Sequence, residues 1–202
     1  VRNGLARPGL VAHICGSHGG IHTGTDGSSA QSIEDLALYR TIPNMTVIHP
    51  SDDLSATELT EQLLDYHESS YTRTARNKTP RIYTENSVKS LRIGKGSILS
   101  EGEEVAIIAI GVMVHKAQQA AENLRKEGIN ATVIDMHTIK PIDEKIILKS
   151  INKTRCIVTA EEHNFLGGLG ESISRILTKN DPVPQEFIAT NDTFGESGSP
   201  SK

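Results

Sequence analysis

The chain has 202 residues, a formal net charge of −4, a mean hydropathy of −0.31 and only 3% aromatic residues. Its longest apolar run, 105–114, is well short of the roughly 20 residues that a membrane helix needs, which excludes a helical membrane span. The low aromatic content and the acidic balance argue against a nucleic-acid binder built on basic grooves and stacked rings. The composition is that of a soluble globular chain with one or two domains.

The first half of the chain predicts short strands and helices around a long polar loop. We expect strands at 10–15, 45–49 and 71–74, helices at 32–41 and 53–66, and a loop at 17–29. Ser51 is the expected N-cap of the second helix. Because three strands alone make a poor sheet, this half should depend on further structure.

The second half alternates strands and helices, which favours a parallel or mixed sheet with helices on its faces. We expect strands at 104–110, 131–136, 156–160 and 186–189, and helices at 113–127, 141–150 and 171–177. The fold class is therefore α/β with two domains. The domains are predicted at 1–86 and 103–202, with a glycine-containing linker at 87–102.

The cysteines and the chain ends give two further expectations. Cys15 and Cys156 lie in separate apolar stretches, so we expect two buried free thiols of a reducing, cytoplasmic compartment and no disulfide. The chain starts at Val1 without a methionine and stops at Lys202, and both ends look truncated. The intact mass of the purified protein would test that expectation.

The segment 17–31 is the most function-like part of the sequence. It reads SHGGIHTGTDGSSAQ and follows a predicted strand, as expected for a crevice in which backbone approaches a ligand. A plain solvent loop with turn glycines explains the composition about equally well. His18 and His22 are not spaced as a metal pair and no cysteine pair accompanies them, so a metal site is not expected.

Three other polar groupings have both a chemical and a plain interpretation. Arg73 and Arg76 follow a strand and suit a phosphate, although a surface arginine with a loose ion pair is commoner. The glycine turn 167–170 precedes a helix, but Glu171 would repel an anion there, which favours close helix packing. The segment 161–163, Glu-Glu-His, suits acid and base chemistry, while a polar strand end or a subunit contact is the plainer interpretation.

Several motifs, in order along the chain, resemble the transketolase family. The segment 16–52 resembles the family pattern T-H-x-x-I-x-x-G-E-D-G-P-S/T-H-Q-x-x-E-x-L-A-x-x-R-x-I-P-N-x-x-V-x-x-P-x-D. The segments 93–143, 158–173 (VTAEEHNFLGGLGESI) and 192–200 (DTFGESGSP) resemble the C-terminal domain of the same family. The likeness covers nearly the whole chain and is greatest to the C-terminal subunit of split, two-chain transketolases. Residues 1–86 resemble only the later part of the pyrimidine-binding domain.

This resemblance implies a cytoplasmic, dimeric enzyme of the pentose phosphate pathway. Such an enzyme uses thiamine diphosphate with Mg²⁺ or Ca²⁺ to transfer a two-carbon ketol unit between sugar phosphates. The diphosphate and metal would be held by a partner subunit or domain, because the Gly-Asp-Gly…Asn signature is absent here. The activating glutamate and the stacking aromatic residue of the family are also unmatched, so the cofactor-binding residues of this chain are unknown and we expect the chain alone to be inactive.

The resemblance also assigns roles to individual residues. His18 matches a histidine that contacts the sugar phosphate, Asp26 an aspartate that binds a substrate hydroxyl, and Arg76 the arginine that holds the phosphate. Arg73 is the nearby alternative to Arg76, and His22 is a possible additional site residue.

Departures from the pattern leave alternatives open. Thr25 replaces the family glutamate, Ser28 the proline and Ala30 the histidine, which leaves the donor and acceptor sugars undecided. Deoxyxylulose-phosphate synthase and the β subunit of a 2-oxo acid dehydrogenase share the same two domains. A non-catalytic dimerisation module is the third possibility.

Overall fold

We describe residues 1–200 from a computed structural model, in which nine strands form two sheets. The strands are β1 (His13–Gly16), β2 (Met45–Ile48), β3 (Ser69–Arg73), β4 (Ser97–Ser100), β5 (Val105–Ala109), β6 (Ala131–Asp135), β7 (Thr138–Lys140), β8 (Ile157–Asn164) and β9 (Gln185–Thr190). The first sheet has the order β1-β3-β2-β7, and the second has the order β4-β6-β5-β8-β9. The predicted α/β class is confirmed.

Five α-helices flank the sheets. They are α1 (Asp35–Arg40), α2 (Asp53–Leu63), α3 (Met113–Lys126), α4 (Glu144–Thr154) and α5 (Leu169–Asn180). Shorter helical segments lie at Arg2–Ala6, Ile21–Asp26 and Ser87–Ser90. In the described residues no helix is both long and apolar enough to span a membrane.

Within the first sheet, β1 and β2 both run parallel to the central strand β3, whereas β7 is antiparallel to β2. Sequence patterning missed β7, because Thr138–Lys140 is only three residues long and was expected to lie between a strand and a helix. This strand comes from the second half of the chain. The first sheet therefore obtains its fourth strand from outside the predicted domain 1–86.

The second sheet is parallel except for β4, which is antiparallel to β6. β4 lies inside the segment 87–102 that was expected to be a linker. Because it pairs with β6, β4 is an edge strand of the second sheet, so the linker between the sheets is shorter than expected. The hydrogen bonds to β6, rather than the residue types of 97–100, determine the backbone conformation of this strand.

The helix α2 shows how local chemistry sets an element boundary. Asp52, not Ser51, is its N-cap: the Asp52 carboxylate accepts a hydrogen bond from the Ser55 amide at 2.8 Å, and the Ser55 hydroxyl accepts one from the Asp52 amide at 2.9 Å. This reciprocal pair satisfies two amides that the first turn leaves free. Ser51 instead donates its hydroxyl to Asp135 at 2.7 Å, which ties the start of α2 to β6.

The largest apolar cluster joins elements of the two sheets. It includes Leu36 of α1, Val47 of β2, Ile108 of β5, Ile134 of β6 and Leu169 of α5, each fully buried. Burial of such side chains contributes roughly 1.5–3 kcal/mol each. The two sheets therefore share one core, which fixes the position of the loops at their edges.

Both cysteines are free, but Cys15 is exposed and Cys156 is only partly buried, so the expectation of two buried thiols was wrong. Successive residues of a strand point to opposite faces. His13 and Cys15 therefore share one face of β1, and both residues are exposed.

Candidate functional site

The candidate site lies where two neighbouring parallel strands end. Gly16, the last residue of β1, is in register with Arg73, the last residue of β3. The carboxyl ends of parallel strands meet at one edge of a sheet, where ligands of α/β proteins commonly bind. His18 follows β1 by two residues and Arg76 follows β3 by three, so the strand register brings both side chains to the same edge.

Asp26 completes a polar cluster with these two residues. The Nε of Arg76 lies 2.5 Å from Oδ2 of Asp26, and Nε2 of His18 lies 3.7 Å from the same oxygen. The side chains are 43% (His18), 30% (Asp26) and 40% (Arg76) exposed. An ion pair this open contributes little to stability, because water screens it and competes for both partners. The three side chains are thus accessible to a ligand.

The backbone around the cluster adopts conformations that the sequence pattern partly anticipates. Gly20, Gly24 and Gly27 have φ between 71° and 81°, the left-handed region in which glycine has no steric penalty. His18 also has a positive φ, of 67°, and its carbonyl accepts a hydrogen bond from the Thr23 hydroxyl at 3.0 Å. This bond ties the short helical segment Ile21–Asp26 to His18, and Asp26 of the same segment lies 3.7 Å from the His18 ring.

Gln31 links this loop to the end of the chain. Its side-chain amide donates to the carbonyls of Gly24 at 3.3 Å and Glu196 at 3.1 Å, and the residue is 5% exposed. The Ser197 hydroxyl donates to the carbonyl of Thr25 at 2.7 Å. The segment 195–200 therefore lies against the loop that carries Asp26. Sequence reasoning did not assign this role to Gln31 or Ser197, although both stand within motifs that it singled out.

Arg73 is enclosed, so its position argues against the role of alternative phosphate ligand. Its side chain is 0% exposed, and Nη1 lies 3.5 Å from Oδ1 of Asp35. Nη2 donates to the carbonyl of Glu162 at 2.6 Å. A Cβ on Gly19 or Gly20 would overlap the Arg73 side chain, so the glycines let the loop pass directly over it. Arg73 supports the loop from below, and Arg76 is the guanidinium at the surface.

His22 has no contact with the cluster among the described ion pairs. Its ring borders a different cavity together with Glu162 and Lys116, and its Nε2 has no hydrogen-bond partner in the described residues. Burial lowers the pKa of His22, and the nearby charge of Lys116 lowers it further. Burial also raises the pKa of Glu162 to about 7. His22 is therefore not grouped with His18 by the fold.

The glycine turn before α5 is filled by a carboxylate of the chain itself. Glu161 accepts hydrogen bonds from the amides of Leu169 at 2.7 Å and Gly170 at 2.9 Å, and burial raises its pKa to about 7. A Cβ on Gly170 would overlap the Phe187 ring of β9. The turn thus serves helix capping and close packing, in line with the plainer interpretation of this motif.

The cluster has the chemistry to bind a phosphorylated, hydroxylated ligand. A guanidinium bonds two phosphate oxygens at once, an imidazole donates one further hydrogen bond, and a carboxylate accepts from hydroxyl groups. Residues 1–200 hold no group of three or more His, Cys, Asp and Glu side chains arranged to bind a metal ion. The chain is thus an α/β protein of two sheets, with a candidate site for an anion and a hydroxyl group at one sheet edge.

Comparison with known proteins identifies the family to which this chain belongs. Residues 1–81 match the family model "Transketolase, pyrimidine binding domain", and residues 94–202 match "Transketolase, C-terminal domain". The chain belongs to the transketolase family, which confirms the resemblance seen in its motifs.

Individual relatives agree with this assignment. A Methanocaldococcus jannaschii protein provisionally named as a transketolase C-terminal section is 41% identical, covering 98% of this chain and 62% of the relative. A 6-deoxy-6-sulfo-D-fructose transketolase subunit of a Clostridium species is 40% identical, covering 96% and 60%. A solved structure described as a split gene transketolase, inactive beta4 tetramer, is 38% identical with a TM-score of 0.90, covering 99% of this chain and 63% of that one. The chain thus spans about three fifths of the length of these relatives.

Proposed function

We propose that this chain is part of a thiamine-diphosphate-dependent transketolase and supplies residues that hold the sugar-phosphate substrate while a two-carbon ketol unit is transferred. The observation that carries the proposal is the convergence of His18, Asp26 and Arg76 on one sheet edge. Similarity to split transketolases along almost the whole chain supports the same activity.

In this proposal Arg76 and His18 bind the substrate phosphate and Asp26 binds a hydroxyl group. Nε of Arg76 lies 2.5 Å from Oδ2 of Asp26. An arriving phosphate competes with Asp26 for the guanidinium, because its dianion offers more charge than one carboxylate. The Asp26 oxygens are then free to accept from a substrate hydroxyl. The same ion pair would thus orient the phosphate end and the sugar end of one ligand.

The cofactor and its metal are proposed to be held mainly by a partner subunit or domain. The described residues hold no group of three or more His, Cys, Asp and Glu side chains that could bind a metal ion, and we propose that the ligands of the family's Mg²⁺ or Ca²⁺ come from the partner. We therefore propose an oligomer that includes a diphosphate-binding subunit. The structural relative is described as an inactive beta4 tetramer, which supports association between copies of this chain. Membership of the pentose phosphate pathway and a cytoplasmic location are part of the proposal, the latter supported by two free cysteines.

The test is a ketol-transfer assay on the chain combined with a diphosphate-binding transketolase subunit, with Arg76→Gln compared with Arg81→Gln. Arg81 is the matched control, since it is also an exposed arginine paired with a carboxylate, Asp53, at 2.7 Å. Losing a charge-assisted hydrogen bond to phosphate should lower kcat/KM for Arg76→Gln about 10- to 150-fold, which corresponds to a loss of about 1.5–3 kcal/mol in transition-state stabilisation. Arg81→Gln should retain the activity of the unmodified chain.

Other results would reject the proposal in distinct ways. Turnover of pyruvate but of no sugar-phosphate donor would favour a deoxyxylulose-phosphate synthase or a 2-oxo acid dehydrogenase subunit. Unchanged kcat and KM in Arg76→Gln and His18→Ala would remove the substrate site and favour a dimerisation module.

A further inference from the structure

A second basic cavity lies away from the cluster of His18, Asp26 and Arg76. Its volume is about 350 Å³, and it lies between elements of the first sheet and the helices α4 and α5. Its polar lining consists of Arg40, Lys140, Glu144, Ser172 and Arg175. None of the three residues proposed to bind substrate borders it.

Two of its three cations are bonded to backbone rather than to acids. Arg40 donates from Nη1 to the carbonyls of Gly167 and Gly168, the second at 3.2 Å. Lys140 donates from Nζ to the carbonyl of Arg40 at 3.0 Å and to that of Ile42 at 2.5 Å. These carbonyls fix the direction of both side chains without neutralising their charge.

The third cation, Arg175, has one loose partner. Its Nη2 lies 3.7 Å from Oε1 of Glu144, and both side chains are substantially exposed. Among the described residues this is the only ion pair within 4 Å that involves any of the three cations. The cavity lining thus contains three positively charged side chains and one carboxylate, which leaves an excess of positive charge.

The electrostatic balance of the cavity follows from this arrangement. Burial lowers the pKa of Arg40; the charge of Arg175 lowers it further, and Glu171 and Glu161 act in the opposite direction. Burial also lowers the pKa of Lys140, and so does the charge of Arg40, while Glu68 opposes both. Half-buried side chains of like charge repel each other, and an anion bound between them would offset this repulsion.

We propose that this cavity binds a phosphate group, either free or as the ester of a small phosphorylated metabolite. Arginine presents a planar fork that fits two phosphate oxygens, and lysine adds a compact charge. The volume accommodates a small phosphorylated ligand and falls within the usual range of ligand pockets. This site is independent of the proposed function, because it shares no residue with the substrate cluster.

Isothermal titration with inorganic phosphate at low ionic strength tests the proposal. Every chain in the series carries Arg76→Gln, so that phosphate held at the substrate cluster does not contribute. Saturable binding is expected in this background. Arg175→Gln should then raise the Kd about tenfold, the effect of losing a charge-assisted hydrogen bond. Circular dichroism and the unfolding midpoint check that each chain is folded.

Two further variants test whether the effect of Arg175→Gln is specific to the cavity or follows from the change in net charge. Lys179→Gln removes a positive charge from the same helix, α5, at an exposed position outside the cavity lining, and should leave the Kd unchanged. Glu144→Gln removes the carboxylate that competes for Arg175 and should lower the Kd several-fold. Absence of saturable binding, or equal Kd values for Arg175→Gln and Lys179→Gln, would overturn the proposal.

One further titration distinguishes free phosphate from a phosphate ester as the ligand. A sugar monophosphate that binds at least tenfold more tightly than inorganic phosphate, with a Kd that rises in Arg175→Gln but not in Lys179→Gln, would identify an esterified ligand at this cavity. Equal affinities would identify free phosphate. Either result supports the site, and neither depends on ketol-transfer activity.

Discussion

Asp135 should make the stability of this protein fall as the pH rises. The residue ends β6 with 0% of its surface exposed. Oδ2 accepts hydrogen bonds from the hydroxyls of Ser51 and Tyr83, each at 2.7 Å, whereas Oδ1 has no partner in the described residues. Burial raises the pKa of Asp135 from 3.8 to about 7, and the two hydroxyls oppose that rise only in part.

The sign and size of the effect follow from the pKa in the two states. Because the folded pKa lies above the unfolded one, the folded chain retains a proton that the unfolded chain has released. Its contribution to stability is complete below pH about 4 and is lost as the pH rises towards 7. The interval from 3.8 to about 7 corresponds to about 4 kcal/mol in the free energy of unfolding, at about 1.4 kcal/mol per pH unit.

The perturbation is Asp135→Asn, which keeps a side-chain oxygen for Ser51 and Tyr83 and removes the titration. Urea unfolding of the variant and the parent chain at a series of pH values from 4 to 8 gives the free energy at each pH. The difference between the two should shift in favour of the variant by about 4 kcal/mol across this range. Glu161 and Glu162, whose pKa values are also raised to about 7, contribute equally to both chains and cancel. A difference that stays constant with pH would refute the reasoning.

Two further predictions concern packing and the chain end. Gly111→Ala should destabilise the chain by about 2–4 kcal/mol, because the new Cβ would overlap the buried His49 ring at a φ of +59°. Gly128→Ala, with open space around it, should cost only about 1 kcal/mol by the same denaturant measurement. Gln31→Ala removes the bond to the Glu196 carbonyl, so it should speed amide hydrogen exchange in 195–199 and leave the exchange of β5 unchanged. Exchange in 195–199 as slow as in the parent chain would contradict this role.

Sequence patterning located most of the fold because its signals are local. The β5 run and the helix α3 follow from apolar periodicity, and Gly128, with φ of 85°, ends the latter as expected. What it missed depends on tertiary contacts. A three-residue strand such as β7 has no periodicity to detect, and β4 is fixed by its partner strand rather than by its own residues.

At the candidate site, too, local sequence signals predicted some features, and tertiary contacts determine the others. Residue type and motif position identified His18, Asp26 and Arg76 as candidate site residues. The register of β1 and β3 explains why His18 and Arg76 lie close together, with Asp26 between them. No local signal separates a buried Arg73 from an exposed Arg76, because the burial of Arg73 depends on its distant partners Asp35 and Glu162. The contact of Gln31 with the chain end spans 165 positions, which no local pattern can indicate.

The origin of β7 has a consequence for how this protein can be divided. The family boundary between 81 and 94 suggests that the pyrimidine-binding part could be produced or exchanged alone, yet its sheet takes a strand from 138–140. A cut at that boundary would leave the backbone of β2 with an unpaired edge, which favours intermolecular strand pairing. Chimeras should therefore exchange residues 138–140 together with the first part. The unit recognised by sequence comparison is therefore smaller than the sheet to which it belongs.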